Sequence, residues 1–85
     1  MRHENLYLTD IVECADDIAR FISGMEAETF QGSDLLRSAV VHKLSVIGEA
    51  AARLTDDLKA RNPQVPWAQI VGFCKIIVHA YFGID

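Results

Sequence analysis

The 85-residue sequence is poor in cysteine, in proline and in long apolar runs, and each shortage excludes a class of protein. Its two cysteines, Cys14 and Cys74, lie far apart with no Cys-x-x-Cys spacing, so neither a zinc cage nor a disulfide framework is indicated. The longest run without a charged side chain is the 13-residue stretch 62–74, whereas a membrane-spanning helix needs about 20 apolar residues. The N-terminal stretch lacks the apolar segment of a signal peptide. We therefore expect a cytoplasmic protein that does not cross a membrane.

Apolar residues are nevertheless abundant. They make up 51% of the chain beside 24% charged residues, a balance that excludes a disordered protein. The length fits one domain over residues 1–85. A chain this short forms a thin core, which metals, disulfides or a partner chain usually supplement. Since the cysteines favour neither of the first two, we expect the chain to form a homodimer through apolar helix faces.

The net charge of −4 is unevenly distributed. Residues 1–34 carry a net charge of −6, residues 35–58 are neutral, and residues 59–85 carry +2. Because neutralisation of phosphates supplies most of the non-specific affinity for nucleic acid, an acidic chain does not bind RNA avidly by charge alone. Any contact with RNA is expected at the C-terminal end, although a charge of +2 is not itself a sign of function.

Hydrophobic periodicity predicts three helices and no strands. They cover approximately residues 5–23, 34–60 and 67–81, and residues 25–32 connect the first two. The middle helix is apolar around so much of its girth that it must bury two sides. The predicted fold is an all-α, up-and-down bundle with a long central helix.

Local signals support these boundaries. Gly24 suits the position after a helix C-terminus, and Ser33 or Asp34 suits an N-cap. Gly72 lies inside the third helix, where a glycine usually marks a close approach of two helices. We expect the most buried side chains at seven apolar positions: Ile18, Ile22, Leu36, Leu44, Ile47, Leu54 and Trp67.

His79 is the side chain best suited to chemistry, because imidazole groups in general exchange a proton near pH ~6.5. Lys75 lies one helical turn earlier on the same face, and a cation beside an acid–base histidine is what phosphoryl chemistry uses. The pair alone is a weak indication, since most lone histidines near aromatic residues are packed or solvated. Tyr81 is expected to point away from His79 on a straight helix.

A polar stripe follows the middle helix at spacings of three and four residues. One interpretation, which we favour, is a solvated face laced by an ion pair between Glu49 and Arg53. The other is that the stripe lines a groove at a dimer interface. The stripe consists of His42, Ser45, Glu49, Arg53 and Asp56. No metalloprotease, phosphate-loop, serine-hydrolase or zinc motif accompanies it.

Three blocks of the sequence resemble one family. They are AVVHKLSVIGEAA at 39–51, NPQVPWAQIVGF at 62–73 and IIVHAYFGID at 76–85. The resemblance is to the HepT-like branch of the HEPN superfamily, the toxin halves of toxin–antitoxin pairs with a minimal nucleotidyltransferase. It covers nearly the whole chain with its blocks in the expected order.

The resemblance implies a dimeric helical bundle that cleaves RNA without a metal or other cofactor, at a composite site built from both protomers. The family motif is Arg, four residues, His, one residue, Tyr. It places the acid–base histidine at His79. It places at Tyr81 the tyrosine that the partner nucleotidyltransferase modifies with AMP to silence the toxin.

The arginine of that motif, which steadies the phosphate, falls on Cys74. A thiol supplies neither the permanent charge nor the planar fork of arginine. Loss of a positioned cation at a phosphoryl transition state typically lowers the rate by about 100- to 1000-fold. Lys75 is the candidate substitute, as a point charge about 100° further round the helix. We therefore expect weakened or absent cleavage.

The family continues beyond this point into a further helix, whereas this sequence stops at Asp85. We expect either that the dimer covers the apolar faces or that the chain is a decayed copy or a clipped segment. Two hypotheses about function stay open: a ribonuclease toxin, and a non-catalytic dimer that binds the nucleotidyltransferase partner. A third is a bundle that binds a nucleotide or another small ligand.

Overall fold

The computed structural model describes residues 3–83, which form five helices and no strand. The all-α class predicted from the sequence is therefore confirmed. Residues 84 and 85, the end of the third family block, lie outside the described residues. No helix within residues 3–83 has both the length and the apolarity needed to cross a bilayer. The helices are α1 (Glu4–Ile22), α2 (Ala27–Gln31), α3 (Asp34–Ala52), α4 (Asp56–Arg61) and α5 (Trp67–Phe82).

The helix α3 is the centre of the bundle, and α1 packs antiparallel to it. Lys43 Nζ of α3 lies 2.8 Å from Asp17 Oδ2 in the second half of α1. At the other end, Glu4 Oε1 accepts a hydrogen bond of 2.7 Å from the N–H of Thr55, just beyond α3. The start of α1 therefore lies beside the end of α3.

The helix α5 packs antiparallel to α3 as well. Gly48, late in α3, meets Cys74 in the first half of α5. The hydroxyl groups of Ser38, early in α3, and Tyr81, late in α5, are 3.0 Å apart. The three long helices thus run up, down and up, as the sequence predicts for the bundle.

The prediction of one continuous middle helix over residues 34–60 is wrong, because the helix is interrupted between Ala52 and Asp56. Leu54 is turned into the core, and its N–H bonds to the carbonyl of Ala51. Thr55 then starts α4 as its N-cap, its hydroxyl accepting from the Leu58 N–H at 3.1 Å. A threonine followed by two aspartates is a helix-start signal, since its hydroxyl and their charges favour a new N-terminus.

Helix boundaries elsewhere follow the predicted signals. Ser33 is the N-cap of α3, and its hydroxyl accepts from the Leu36 N–H at 3.1 Å. Gly24, with φ of 68°, follows the C-cap of α1 in the left-handed conformation that glycine adopts without strain. The predicted connector contains the short helix α2, whose Phe30 packs half-buried beside Val40 of α3.

The core joins all three long helices through one apolar cluster of Cys14, Ile47 and Cys74. The predicted burial of Ile47 and Leu54 is confirmed. Ile22, however, is 43% exposed, so its predicted burial is wrong. It is the last residue of α1, where the chain turns away from α3. The other four predicted core residues are half-buried: Ile18, Leu36, Leu44 and Trp67.

The close approach predicted at Gly72 is also wrong, since a β-carbon at Gly72 would meet no atom within 4 Å. The tight contact lies on α3 instead. A β-carbon on Gly48 would lie 2.7 Å from the β-carbon of Cys74. Gly48 is therefore the glycine that lets α3 and α5 come together.

Candidate functional site

A groove of about 600 Å³ runs between α3 and α5 and brings the predicted catalytic residues together. Lys75 and His79 lie on one face of α5, one turn apart, and both line this groove. Ser45 and Glu49 of α3 form the opposite wall. The full lining is Ser45, Gly48, Glu49, Ala52, Cys74, Lys75, Val78 and His79.

The groove is open enough for a large substrate to reach the imidazole of His79 and the ammonium group of Lys75. His79 and Lys75 are both exposed, so a phosphodiester in solution can reach them. The Glu49 carboxylate is engaged by Arg53, whose guanidinium Nη2 lies 2.7 Å from Oε1. The Ser45 hydroxyl donates to the carbonyl of His42 at 2.6 Å. The arrangement is thus an imidazole one helical turn from an ammonium group, with a paired carboxylate opposite.

Cys74 lies at the bottom of this groove and is only 3% exposed. Burial raises the pKa of its thiol, which keeps the sulfur in the neutral, weakly nucleophilic form. Its β-carbon lies against Gly48. Position 74, where the sequence resemblance leads us to expect an arginine, is therefore occupied by an uncharged packing residue.

Tyr81 does not line the groove. It follows Cys74 by seven residues, which returns it to the side of α5 that faces α3. Its hydroxyl lies 3.0 Å from Ser38 Oγ and donates to the carbonyl of Asp34 at 3.5 Å. Its ring packs edge to face on Phe82, with the ring centres 5.0 Å apart. Since α5 continues unbroken to Phe82, Tyr81 and His79 lie on different sides of the helix.

The polar stripe of α3 is the exposed ridge between two grooves. The predicted ion pair between Glu49 and Arg53 is confirmed. Ser45 and Glu49 also line the second groove, of about 820 Å³, between α1 and α3. Asp56 belongs to α4 rather than to this ridge. Tyr7 and Asp10 of α1 line the second groove.

Gly48 is the site residue that sequence reasoning missed. Its signal was present, because a glycine inside a helix indicates close packing. The same signal was assigned to Gly72, and the sequence does not tell which glycine faces another helix. Within residues 3–83, no group of three or more side chains is placed to hold a metal ion.

Comparison with known proteins fits this arrangement. The model of the family described as ribonuclease HepT-like matches residues 11–85. The chain belongs to the HepT-like ribonuclease family. The match includes α3, α5 and the whole groove between them.

Individual HepT-like relatives match over nearly the whole chain. A candidate RNase of Methanocaldococcus jannaschii is 37% identical over 84 residues, which are 99% of this chain and 77% of the relative. The probable ribonuclease HepT of Thermococcus cleftensis is 34% identical over 79 residues, 93% of this chain and 72% of the relative. A candidate RNase of Caldanaerobacter subterraneus is 29% identical over 85 residues, 100% of this chain and 76% of the relative. No solved structure matches the chain.

Proposed function

We propose that this HepT-like chain is the toxin component of a cytoplasmic toxin–antitoxin pair, and that it cleaves RNA without a metal ion at a rate reduced by Cys74. The observation that carries the proposal is the meeting of His79 and Lys75 in one open groove of a HepT-like domain. The combination of an acid–base imidazole and a cation suits a phosphodiester better than it suits an uncharged substrate.

In this mechanism, His79 moves the proton. As a base, its neutral imidazole takes the proton of the ribose 2′-hydroxyl, whose oxygen then attacks the adjacent phosphorus and displaces the 5′-oxygen. As an acid, the imidazolium gives a proton to that leaving oxygen. Lys75 offsets the charge that develops on the phosphoryl oxygens. In a dimer, one His79 from each protomer supplies the two roles.

The rate is low because Cys74 supplies no charge where the family motif has arginine. Lys75 acts as a point charge from a neighbouring direction on α5 and does not present the bidentate fork of a guanidinium. The expected deficit is about 100- to 1000-fold relative to a chain with arginine at position 74.

We also propose that Tyr81 is the site where a minimal nucleotidyltransferase partner attaches AMP. Its phenol oxygen would attack the α-phosphorus of ATP and release pyrophosphate. The contact with Ser38 engages this oxygen, so that hydrogen bond must break before the transfer. Modification places a negative charge two residues from His79 on another side of α5 and thereby opposes the approach of RNA to this end of the helix.

Homodimer formation is supported by the outer side of α5. Phe73 and Ile76 lie three residues apart on that side and are 56% and 68% exposed. Large apolar side chains grouped on one helix face indicate an interaction surface. Replacing both with serine is expected to convert a dimer into a monomer in sedimentation experiments.

A second candidate function is a non-catalytic dimer that binds the nucleotidyltransferase. The burial of Cys74 favours it, because a thiol that is 3% exposed contributes nothing to phosphate binding.

An RNA cleavage assay separates the two candidates. The native chain is compared with Cys74→Arg, with His79→Ala and with the double variant. Cys74→Met, which is long but uncharged, controls for side-chain size. We expect Cys74→Arg to cut single-stranded RNA about 100-fold or more faster than the native chain. The His79→Ala variants and Cys74→Met should not exceed the background.

The outcomes are distinct. Faster cleavage by Cys74→Arg alone supports a ribonuclease whose deficit lies in one residue. Cleavage by the native chain at the rate of Cys74→Arg contradicts the proposed deficit. If every variant is folded and dimeric but none cleaves RNA, the non-catalytic function is the better one.

A further inference from the structure

The closest approach of α3 and α5 lies under the candidate active groove. A β-carbon on Gly48 would lie 2.7 Å from the β-carbon of Cys74 and 3.6 Å from its sulfur. The first distance is shorter than β-carbons tolerate. A β-carbon moves only with its backbone, so rotation of the Cys74 side chain cannot relieve this contact. Any residue larger than glycine at position 48 must therefore displace one helix.

The groups that would move are the proposed catalytic ones. Lys75 is the next residue after Cys74, and His79 lies just over one turn further along α5. The helix runs without a break from Trp67 to Phe82, so a displacement at Cys74 carries both side chains with it. The opposite wall is equally close, because Glu49 adjoins Gly48 on α3.

We propose that Gly48 is a positioning residue of the groove: by having no β-carbon, it sets the separation at which His79 and Lys75 face Ser45 and Glu49. This inference rests on the proposed ribonuclease function and adds to it a residue that acts through the placement of other side chains. Residue 74, whether cysteine or arginine, keeps its β-carbon in the contact. A steric conflict with an alanine β-carbon at position 48 is therefore expected with either residue.

The required displacement is large on the scale of catalysis. Two β-carbons essentially never approach within 3.0 Å, and ordinary contact begins at 3.4 Å, so relief of a 2.7 Å approach requires a movement of about 0.3–0.7 Å. Misplacement of reacting groups by about 1 Å can lower a rate by about 100-fold.

The first test adds a β-carbon at position 48, removes the one at position 74, and monitors the result by NMR. Four full-length variants are compared: Gly48→Ala, Gly48→Ala with Cys74→Ala, Gly48→Ala with Cys74→Gly, and Cys74→Gly alone. Alanine at position 74 keeps the β-carbon and glycine removes it. We expect Gly48→Ala to shift the His79 and Lys75 resonances and to weaken the nuclear Overhauser effects between α3 and α5. The double variant Gly48→Ala with Cys74→Gly should regain the signals of Cys74→Gly alone. The double variant with Cys74→Ala should not regain them.

The matched control is Gly72→Ala, a change of the same size at a glycine with open space around it within the protomer. It should leave the resonances of His79 in place. If Gly48→Ala does not fold, restoration of folding and of the His79 signals by Cys74→Gly, but not by Cys74→Ala, supports the inference. Unchanged His79 signals in Gly48→Ala, or equal rescue by alanine and glycine, overturns it.

The second test is cleavage in the Cys74→Arg background, where the rate is expected to be measurable. Adding Gly48→Ala should lower kcat by about 100-fold with little change in KM, since the proposed role is alignment and not binding. Adding Gly72→Ala should change neither. Equal kcat with and without Gly48→Ala contradicts the inference. If no chain cleaves RNA, the proposed function fails, and the NMR comparison alone decides the role of Gly48.

Discussion

The two helices that flank α3 are held by different kinds of contact. Along α1, a polar pair bridges the helices: Asp17 accepts from Lys43 of α3 at 2.8 Å, and Arg20 of α1 itself also donates to Asp17 at 2.6 Å. Along α5, the closest contact lies at Gly48, which has no side chain and so allows Cys74 to pack directly against the α3 backbone. Both interfaces share the apolar core; the α1 interface adds an ion pair at its rim, and the α5 interface adds a close glycine contact at its centre.

This difference matters because the two kinds of contact respond differently to displacement. Lysine and arginine side chains are long and flexible, so their nitrogen atoms can follow a carboxylate when a helix shifts. Two backbones in contact have no such freedom. The helix that carries His79 is the one held by shape. The geometry of the proposed site therefore depends more on small buried residues than on surface ion pairs.

The largest expected difference is between two glycine-to-alanine changes. Gly48→Ala overfills the contact between α3 and α5 and should lower the free energy of unfolding by about 1–3 kcal/mol. Gly72→Ala fills open space in a helix interior and should raise it by about 0.5–1 kcal/mol, because alanine restricts the unfolded chain. Urea unfolding followed by circular dichroism measures both.

This comparison is decided by whether each substitution raises or lowers the free energy of unfolding, and not by the size of the change. If Gly48→Ala is neutral or stabilising, the bundle adapts at its centre and the interface with α5 is not held by shape. A destabilising Gly72→Ala would show that α5 has a neighbour on that side, as a partner chain in a dimer would provide.

A second prediction uses the two buried thiols as reporters of the two interfaces. Burial raises the pKa of both Cys14 on α1 and Cys74 on α5, so both should react slowly with a thiol reagent in the folded chain. Gly48→Ala should speed the labelling of Cys74 by about 10-fold or more, because each 1.4 kcal/mol of lost stability raises the open population tenfold. Labelling of Cys14 should rise less.

Mass spectrometry after brief labelling distinguishes the two cysteines. Equal acceleration at both positions would mean that Gly48→Ala loosens the whole bundle. That result would remove the contrast between the two interfaces.

The sequence predicts much of this fold because periodicity and helix ends are local properties. The stripe of α1, the Ser33 cap and the Gly24 turn all follow from residues within one or two turns. The break at Thr55 also had a local signal, a capping residue followed by two acids, but an uninterrupted apolar stripe outweighed it. Apolar spacing records which face is buried and does not record whether the helix is continuous.

The site is predictable only in part. The shared face of Lys75 and His79 follows from a spacing of four residues on one helix. The burial of Cys74 and the role of Gly48 depend on which residue of α3 lies opposite which residue of α5. That register is a property of packing, which no single helix encodes. The same limit explains why Gly72 was the wrong glycine.

A smaller effect is expected from Tyr81→Phe, which removes only the hydroxyl group. The lost hydrogen bond to Ser38 should lower the free energy of unfolding by about 0.5–1 kcal/mol, at the low end for such bonds because the pair is exposed. Ser38→Ala should cost a similar amount, and the double variant should cost little more than either alone. Full additivity in urea unfolding would show that the two hydroxyls act independently.

The smallest effect should come from the charged rim between α1 and α3. Hydrogen bonds from Lys43 and then Arg20 hold the pKa of the Asp17 carboxyl below its usual value. The folded chain therefore releases this proton more readily than the unfolded chain does. The stabilisation is complete above the unfolded pKa of about 3.9 and is lost as the pH falls through the lower, folded value. The hydrogen bond from Lys43 to Asp17 likewise raises the pKa of Lys43, so the lysine's contribution is lost only in strong alkali.

Asp17→Asn should thus lower the melting temperature slightly at pH 7, and the difference from the native chain should shrink as the pH falls below 4. It should also shrink in 1 M salt, which screens a half-exposed pair. Gly48→Ala provides the contrast, because its steric cost involves no ionisable group and should stay constant over the same range of pH and salt. A pH-dependent loss in Gly48→Ala would mean that charge also holds α5 against α3. A constant loss in Asp17→Asn would mean that Asp17 stabilises the rim through packing instead of through its charge.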